Sequence, residues 1–302
     1  MSHDHSHQTG DVSDRSLLGA VLINSGLSVF EFIAGAVSGS TALMADALHN
    51  TNDAASLLIA YVARRISKKE ADDRFTFGYR RAELIGALIQ LTALILVGLF
   101  LVVEAVKRFA NPEPLMANWM MIAAGVALGV DVATAILLWA MSKGSLNVRA
   151  AFLHNLTDAG ASLAVLAGGA AVWRFGWSWV DPALTLGIAG YILWMSVGML
   201  KRTAAILMET APPDLDSAEL IRAVEALDGV QNLHHLHVWE LDEQHVALEA
   251  HVVTNVPVDA RMELRNTIKQ LLHDRFHIGH STLEFERPAD ACPKPVQPEP
   301  LP

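Results

Sequence analysis

Six stretches of the chain stay apolar long enough to cross a bilayer, for which about 20 residues are needed. They fall at 17–37, 42–64, 82–106, 117–142, 148–173 and 181–204. The second and fifth are less apolar than the rest, and each carries a His and an Asp. Asn111-Pro112-Glu113-Pro114 is a turn signal between the third and fourth, and the short, uncharged Ser38-Gly39-Ser40 joins the first two. Beyond residue 208 the period changes. Leu220, Ile221, Val224 and Leu227 space as one face of a helix. Strands follow at 233–241 and 245–254 around Asp242-Glu243-Gln244, then a helix from Met262 to Phe276 and a third strand from His280 to Glu286. The pattern predicts an α-helical membrane protein of six spans with a small C-terminal αββαβ domain.

Composition agrees. Of 302 residues 52% are hydrophobic and only 18% are charged, against about a quarter in soluble domains. The formal charge of −10 argues against nucleic acid as a partner. A single cysteine, Cys292, excludes an internal disulfide and fits a reducing compartment. The loop after the second span holds Arg64, Arg65, Lys68, Lys69, Arg74, Arg80 and Arg81, whereas the opposite loops hold only Lys107, Arg108 and Arg174. By the positive-inside rule both termini lie in the cytoplasm. The expected divisions are a tail over 1–16 bearing His3, His5 and His7, a transport domain over 17–208, a cytoplasmic domain over 209–287, and a disordered Pro-rich tail over 288–302.

The candidate chemistry lies within the second and fifth spans. Leu48 to Ala54 matches Leu153 to Ala159, with His49 and Asp53 repeated as His154 and Asp158. Positions i and i+4 share a helix face, so each pair projects together. An Asp at the bilayer centre costs about 2.5–3.5 kcal/mol unless compensated, so two pairs at similar depth call for an explanation. Two imidazole nitrogens and two carboxylates make a tetrahedral set suited to Zn²⁺. Mg²⁺ and Ca²⁺ prefer larger oxygen shells, while Cd²⁺ and Co²⁺ also fit. Two Asp⁻ with Zn²⁺ and neutral His sum to zero; so do two Asp⁻ with two protonated His. Exchange of Zn²⁺ for protons therefore keeps the site neutral in lipid. The bland alternative is two His–Asp hydrogen bonds that glue helices together. Asp131 and Glu31 are also intramembrane, and Asp131 reads as either a relay or a packing residue.

These residues, together with Ser40 to His49, Arg74 to Glu83, Asn147 to Asp158 and His234 to Trp239, resemble the cation diffusion facilitator family. The likeness covers roughly 13–287. It lies closest to the zinc-preferring branch of cobalt-zinc-cadmium resistance, where His stands at position 49. The resemblance implies a homodimer in the bacterial inner membrane with a ferredoxin-like cytoplasmic domain. It also implies proton-coupled efflux of Zn²⁺ with Cd²⁺ or Co²⁺, and no enzymatic activity. It maps the transport site to His49, Asp53, His154 and Asp158, and an interlock to Arg81 and Glu209. In the loop after the second span Asp72 remains, but Phe75 and Tyr79 replace the His of some members, so no metal is expected there.

In the soluble domain, strand alternation places His235 and His237 on one face and His234 on the other. The family resemblance favours His234, His251, His280 and Glu286 as Zn²⁺ ligands, with His237 or His235 as additions. Glu284 stands where some members have another His. Two other readings compete. A membrane-tethered zinc sensor or store explains the histidines but not the intramembrane Asp residues. An intramembrane metalloenzyme lacks a base or nucleophile beside either pair.

Overall fold

The structure is a computed structural model that describes residues 14–141 and 146–291. The tail with His3, His5 and His7, Cys292 and most of the Pro-rich tail lie outside the described residues.

Six long helices stand where the apolar pattern predicts them. They are α1 (Asp14–Ser38), α2 (Thr41–Ser67), α3 (Ala82–Ala110), α4 (Ala117–Met141), α5 (Leu146–Phe175) and α6 (Val180–Leu207). Among the described residues four segments are long and apolar enough to cross a membrane: Ala82–Ala110, Ala117–Ile136, Asn155–Phe175 and Val180–Leu207. At most 33% of each apolar window is buried. Leu96, Phe100, Ile136 and Trp194 are among the large apolar side chains left exposed. Water does not tolerate that much exposed apolar surface, whereas lipid does. In α1 the described apolar segment is the shorter Ser25–Ser38. In α2, Asp46, His49, Asn50, Asn52 and Asp53 lower the hydropathy.

The chain forms two compact units, one from Met1–Tyr61 and Ile89–Met199, the other from Val62–Leu88 and Leu200–Pro302. In the first, small residues line the interior. Ala42, Ala45, Ala47, Ala123, Ala124 and Ala127 are fully buried, and small side chains let helix backbones approach closely where lipid supplies no hydrophobic drive. Gly39 turns α1 into α2 at φ +75°, a conformation that costs a side-chain-bearing residue free energy. Its carbonyl accepts from Arg108.

The start of α2 is held by a group that local pattern does not reveal. Asp181, at the head of α6 and fully buried, accepts from Ser40 Oγ at 2.5 Å, Thr41 N at 2.8 Å, Thr41 Oγ1 at 2.7 Å and Ala42 N at 3.3 Å. The carboxylate thus satisfies helix-end donors that have no intrahelical partner.

In the second unit α7 (Ser217–Glu225), β1 (Val230–Glu240), β2 (Val246–Thr254), α8 (Arg261–Phe276) and β3 (Ile278–Glu286) follow in the predicted αββαβ order. The sheet runs β1-β2-β3, with β1 antiparallel and β3 parallel to β2. Asp216 caps α7 by accepting from Ala218 N and Glu219 N. Leu220 and Val224 of α7 and Leu264, Ile268 and Leu272 of α8 pack on Leu233, Leu236, Leu248, Ala250 and Val252. The helices cover one face of the sheet and leave the other to polar side chains.

Asp181→Ala removes an acceptor from buried donors, each worth about 1–3 kcal/mol when left unsatisfied. Its detergent-solubilised melting temperature falls well below that of the parent, whereas substitution of the exposed Glu113 leaves it in place.

Candidate metal centre

Helix α2 sets His49 and Asp53 one turn apart on one face. His49 Nε2 lies 3.7 Å from Asp53 Oδ2 and 3.9 Å from Asp158 Oδ1 of α5. His49 and Asp158 are 8% and 9% exposed. His49 sits about 12 Å along α2 and Asp158 about 18 Å along α5, at about 1.5 Å per residue. Ligands about 2.0–2.1 Å from one tetrahedral Zn²⁺ stand roughly 3.3 Å apart. Two helices thus bring three of the four predicted residues to nearly that spacing. For His154 the structure describes the backbone, one turn before Asp158 in α5; its side chain lies outside the described residues.

Beside this centre are Asp131 and Glu31, which the sequence reading placed in the membrane. Ser162 donates to Asp131 Oδ2 at 2.9 Å and stands 3.4 Å from Asp46 Oδ2. Asn50, next to His49, donates to Glu31 Oε2 at 3.2 Å. Asp131 is therefore held by a hydrogen bond, as a packing residue would be. Asp46, 2% exposed, was not singled out from the sequence. The signal that finds it is the rule already applied to its neighbours, that an ionisable residue within a span needs a partner.

The cytoplasmic histidines differ from strand alternation. Register runs His234↔His251 and then His237↔Glu249, with a shift between them. His235 occupies that bulge at φ +51°. The extra residue keeps Leu233 and Leu236 in the core and turns His237 to the side that His234 occupies. His234 and His237 therefore share a face, contrary to the alternation reading. The spacing of the two leucines by three is the sequence signal for the bulge.

On this face His234, His251 and Glu286 place one ligand atom each within 4.8 Å of one another, and so do His235, His237 and Glu249. Glu286 is 3.2 Å from His234 Nε2 and 2.7 Å from His251 Nδ1. The structure does not bring His280 into the first group. It shares β3 with Glu286 six residues away, roughly 20 Å at about 3.3 Å per residue, and its ring stands edge-on to Phe77 at 5.9 Å.

The loop between α2 and α3 belongs to the same unit. Asp72 accepts from Arg74 N, Phe75 N and Tyr79 Oη. The Tyr79 hydroxyl, followed by the two backbone donors, holds the Asp72 carboxyl below its ordinary range. Arg81 Nη2 donates to Glu209 Oε1 at 2.9 Å, and Arg202 grips the buried Glu240 through two bonds of 2.6 and 2.5 Å.

A family model described as the cation efflux transmembrane domain matches residues 17–208, and one for the cation efflux protein cytoplasmic domain matches 212–288. The chain belongs to the cation efflux family. It is a multi-pass membrane protein and a cation transporter rather than an enzyme. Similar members include the zinc transporter ZitB of Escherichia coli, 36% identical across 95% of this chain and 93% of that protein. The metal cation efflux system protein CzcD of Cupriavidus metallidurans is 34% identical across 94% and 89%. The cadmium, cobalt and zinc/H(+)-K(+) antiporter of Bacillus velezensis is 32% identical across 96% and 93%. The solved metal-bound C-terminal domain of the CzcD transporter matches 24% of this chain and 99% of that chain at 39% identity, with a TM-score of 0.23.

The Arg81–Glu209 pair tests whether this region of the cation efflux fold is shielded. Both side chains are partly exposed, 38% and 58%, and an exposed pair contributes about 0–1 kcal/mol. Arg81→Ala is expected to leave thermal stability nearly unchanged at moderate salt; a drop of several degrees would place the pair in a protected interface.

Proposed function

We propose that this chain exports Zn²⁺, and with it Cd²⁺ or Co²⁺, from the bacterial cytoplasm in exchange for protons. The observation that carries the reading is the convergence of His49, Asp53 and Asp158 from two helices at 3.7 and 3.9 Å. His154, one turn from Asp158 in sequence, completes a His₂Asp₂ set. Nitrogen and carboxylate ligands suit Zn²⁺ over Mg²⁺ or Ca²⁺. The names of the bacterial relatives, zinc transporter and cadmium, cobalt and zinc antiporter, support the same cargo.

The mechanism follows from charge. Metal binds only to neutral imidazole, so loading from the cytoplasm displaces protons from His49 and His154. Release on the far side lets both rings take up protons while Asp53 and Asp158 stay ionised. Each end state sums to zero, so neither strands a net charge in hydrocarbon. The sign is fixed: acid favours the proton-loaded state and weakens metal binding, and a rise in pH favours loading.

The same reading puts both termini in the cytoplasm of the inner membrane, on the distribution of Lys and Arg. It divides the chain into a tail over 1–16, a transport domain over 17–208, a cytoplasmic domain over 209–287 and a tail beyond. Two chains pair through the cytoplasmic domain, with Arg81 and Glu209 locking the ends of α3 and α6. His234, His251 and Glu286 hold a regulatory Zn²⁺. Their two ring nitrogens and one carboxylate fit that ion.

Proteoliposomes with an acidic interior should accumulate Zn²⁺ and release protons outward. Asp53→Ala or Asp158→Ala should cut the rate at least about 100-fold, since losing even an outer partner of a ligand costs roughly 10–100-fold. Zinc flux that ignores the proton gradient would refute exchange, and absence of wild-type flux would refute transport.

A further inference from the structure

Four polar side chains of the first unit have no task in the metal centre: Glu31 of α1, Asp46 of α2, Asp131 of α4 and Ser162 of α5. They are 0%, 2%, 4% and 1% exposed. We propose that they form a proton station on the outer side of the metal centre, through which the protons exchanged for Zn²⁺ reach the centre from outside. The station rests on the orientation and the exchange proposed for the chain, and it names the residues that carry the protons.

Three observations carry this. The first is charge. His49 and His154 already balance Asp53 and Asp158 in both end states. Residues 16–63, 117–141 and 150–173 contain no Lys or Arg, so Glu31, Asp46 and Asp131 have no fixed cation within these spans. Glu31 lies within electrostatic reach of Asp46, Asp131 and Asp158, and Asp46 within reach of Asp131 and Asp158. Hydrocarbon does not hold several unpaired negative charges side by side, and protons on these groups remove them.

The second is the bridge. Ser162 Oγ stands 2.9 Å from Asp131 Oδ2 and 3.4 Å from Asp46 Oδ2. A hydroxyl owns one hydrogen and otherwise accepts. With Ser162 donating to Asp131, its bond to Asp46 requires Asp46 to be the donor. The geometry also lets the proton move: Asp46 gives its proton to Ser162 Oγ as Ser162 gives its own to Asp131 Oδ2. One proton passes from α2 to α4 and the hydroxyl is restored.

The third is an unmet polar atom. Glu31 Oε1 is buried and has no hydrogen-bond partner among the described residues, while Oε2 accepts from Asn50 Nδ2 at 3.2 Å. An ionised carboxylate would leave Oε1 desolvated and unpaired. A carboxyl with its proton on Oε1 does not, and that proton is placed to be handed on.

Placement gives the station its direction. Asp46 precedes His49 by three residues, and Ser162 follows Asp158 by four. Helices α2 and α5 cross the membrane in opposite directions, so both residues stand about 5 Å from the ligands toward the same end. That is the end where Gly39 turns α1 into α2, which is the outer face in the proposed orientation. Protons entering there meet the station before they meet the ligands.

The experiment assays the full chain in proteoliposomes in two modes. One is Zn²⁺ uptake driven by an acidic interior, with proton release followed at the same time. The other is exchange of internal unlabelled Zn²⁺ for external radiolabelled Zn²⁺ at equal pH, which needs no net proton movement. Asp46→Asn and Asp131→Asn keep the shape of the side chain but cannot take up or release a proton. Each should slow gradient-driven uptake about 10²-fold, the lower end of what a positioned proton carrier contributes, while label exchange stays near the parent rate. Ser162→Ala removes only the bridge and should act in the same direction; as the smallest change, it decides the matter where an Asn variant fails to fold. A residue that merely packs helices would depress both modes together. That result in Ser162→Ala overturns the proposal, as does gradient-driven uptake at the parent rate in Asp46→Asn. A parent protein whose uptake ignores the gradient would remove the exchange reading and the station with it, a failure told apart because the parent shows it.

Discussion

Hydrocarbon cannot solvate an ionisable group, and the arrangement of the helices answers that constraint. His49, Asp53 and Asp158 meet between α2 and α5. Asp131 accepts from Ser162 and Glu31 from Asn50, so each of these carboxylates has a polar partner on a neighbouring helix. Ala42, Ala45, Ala47, Ala123 and Ala124 permit it, because only small side chains let the helices come close enough. The outer faces keep Leu, Phe and Trp for lipid. α2 falls short of a membrane span by composition for the same reason that it matters: its polar residues form the inner lining.

His and carboxylate side chains gather again in the cytoplasmic domain under a different constraint. There one face of a three-stranded sheet must be apolar to pack on α7 and α8, and the opposite face is free to carry His and Glu. Alternation alone would split the His234-to-His237 run between the faces. A single inserted residue prevents that and keeps both leucines in the core. Outside the sheet, Arg81 with Glu209 and Arg202 with Glu240 tie the ends of α3 and α6 to the same unit. Helices α2, α3 and α6 each contribute residues to both units.

Ion pairs do unequal work here. Arg81–Glu209 is half exposed and screened, so it positions more than it stabilises. Glu240 is buried and gripped through both oxygens, and loss of Arg202 would strand its charge. Asp181 lies between these cases: it pairs with backbone and hydroxyl donors rather than a cation, and ties the start of α6 to the start of α2.

What the sequence by itself determined is what depends on neighbours along the chain. Helix positions, the αββαβ order and the i, i+4 placement of His49 with Asp53 all follow from local periodicity and reach. The expectation of a compensating cation followed from charge and depth. Tertiary structure alone decided the rest, because it depends on residues far apart in sequence. It brought Asp158 to His49, gave Asp181 to the head of α2, and set Asp46 beside Ser162. It also left His280 away from Glu286 and turned His237 to the face of His234. The last case shows the limit most clearly: a period-2 pattern assumes an unbroken ladder, and whether a strand takes a bulge is settled by the partner strand and by the core that its leucines must reach.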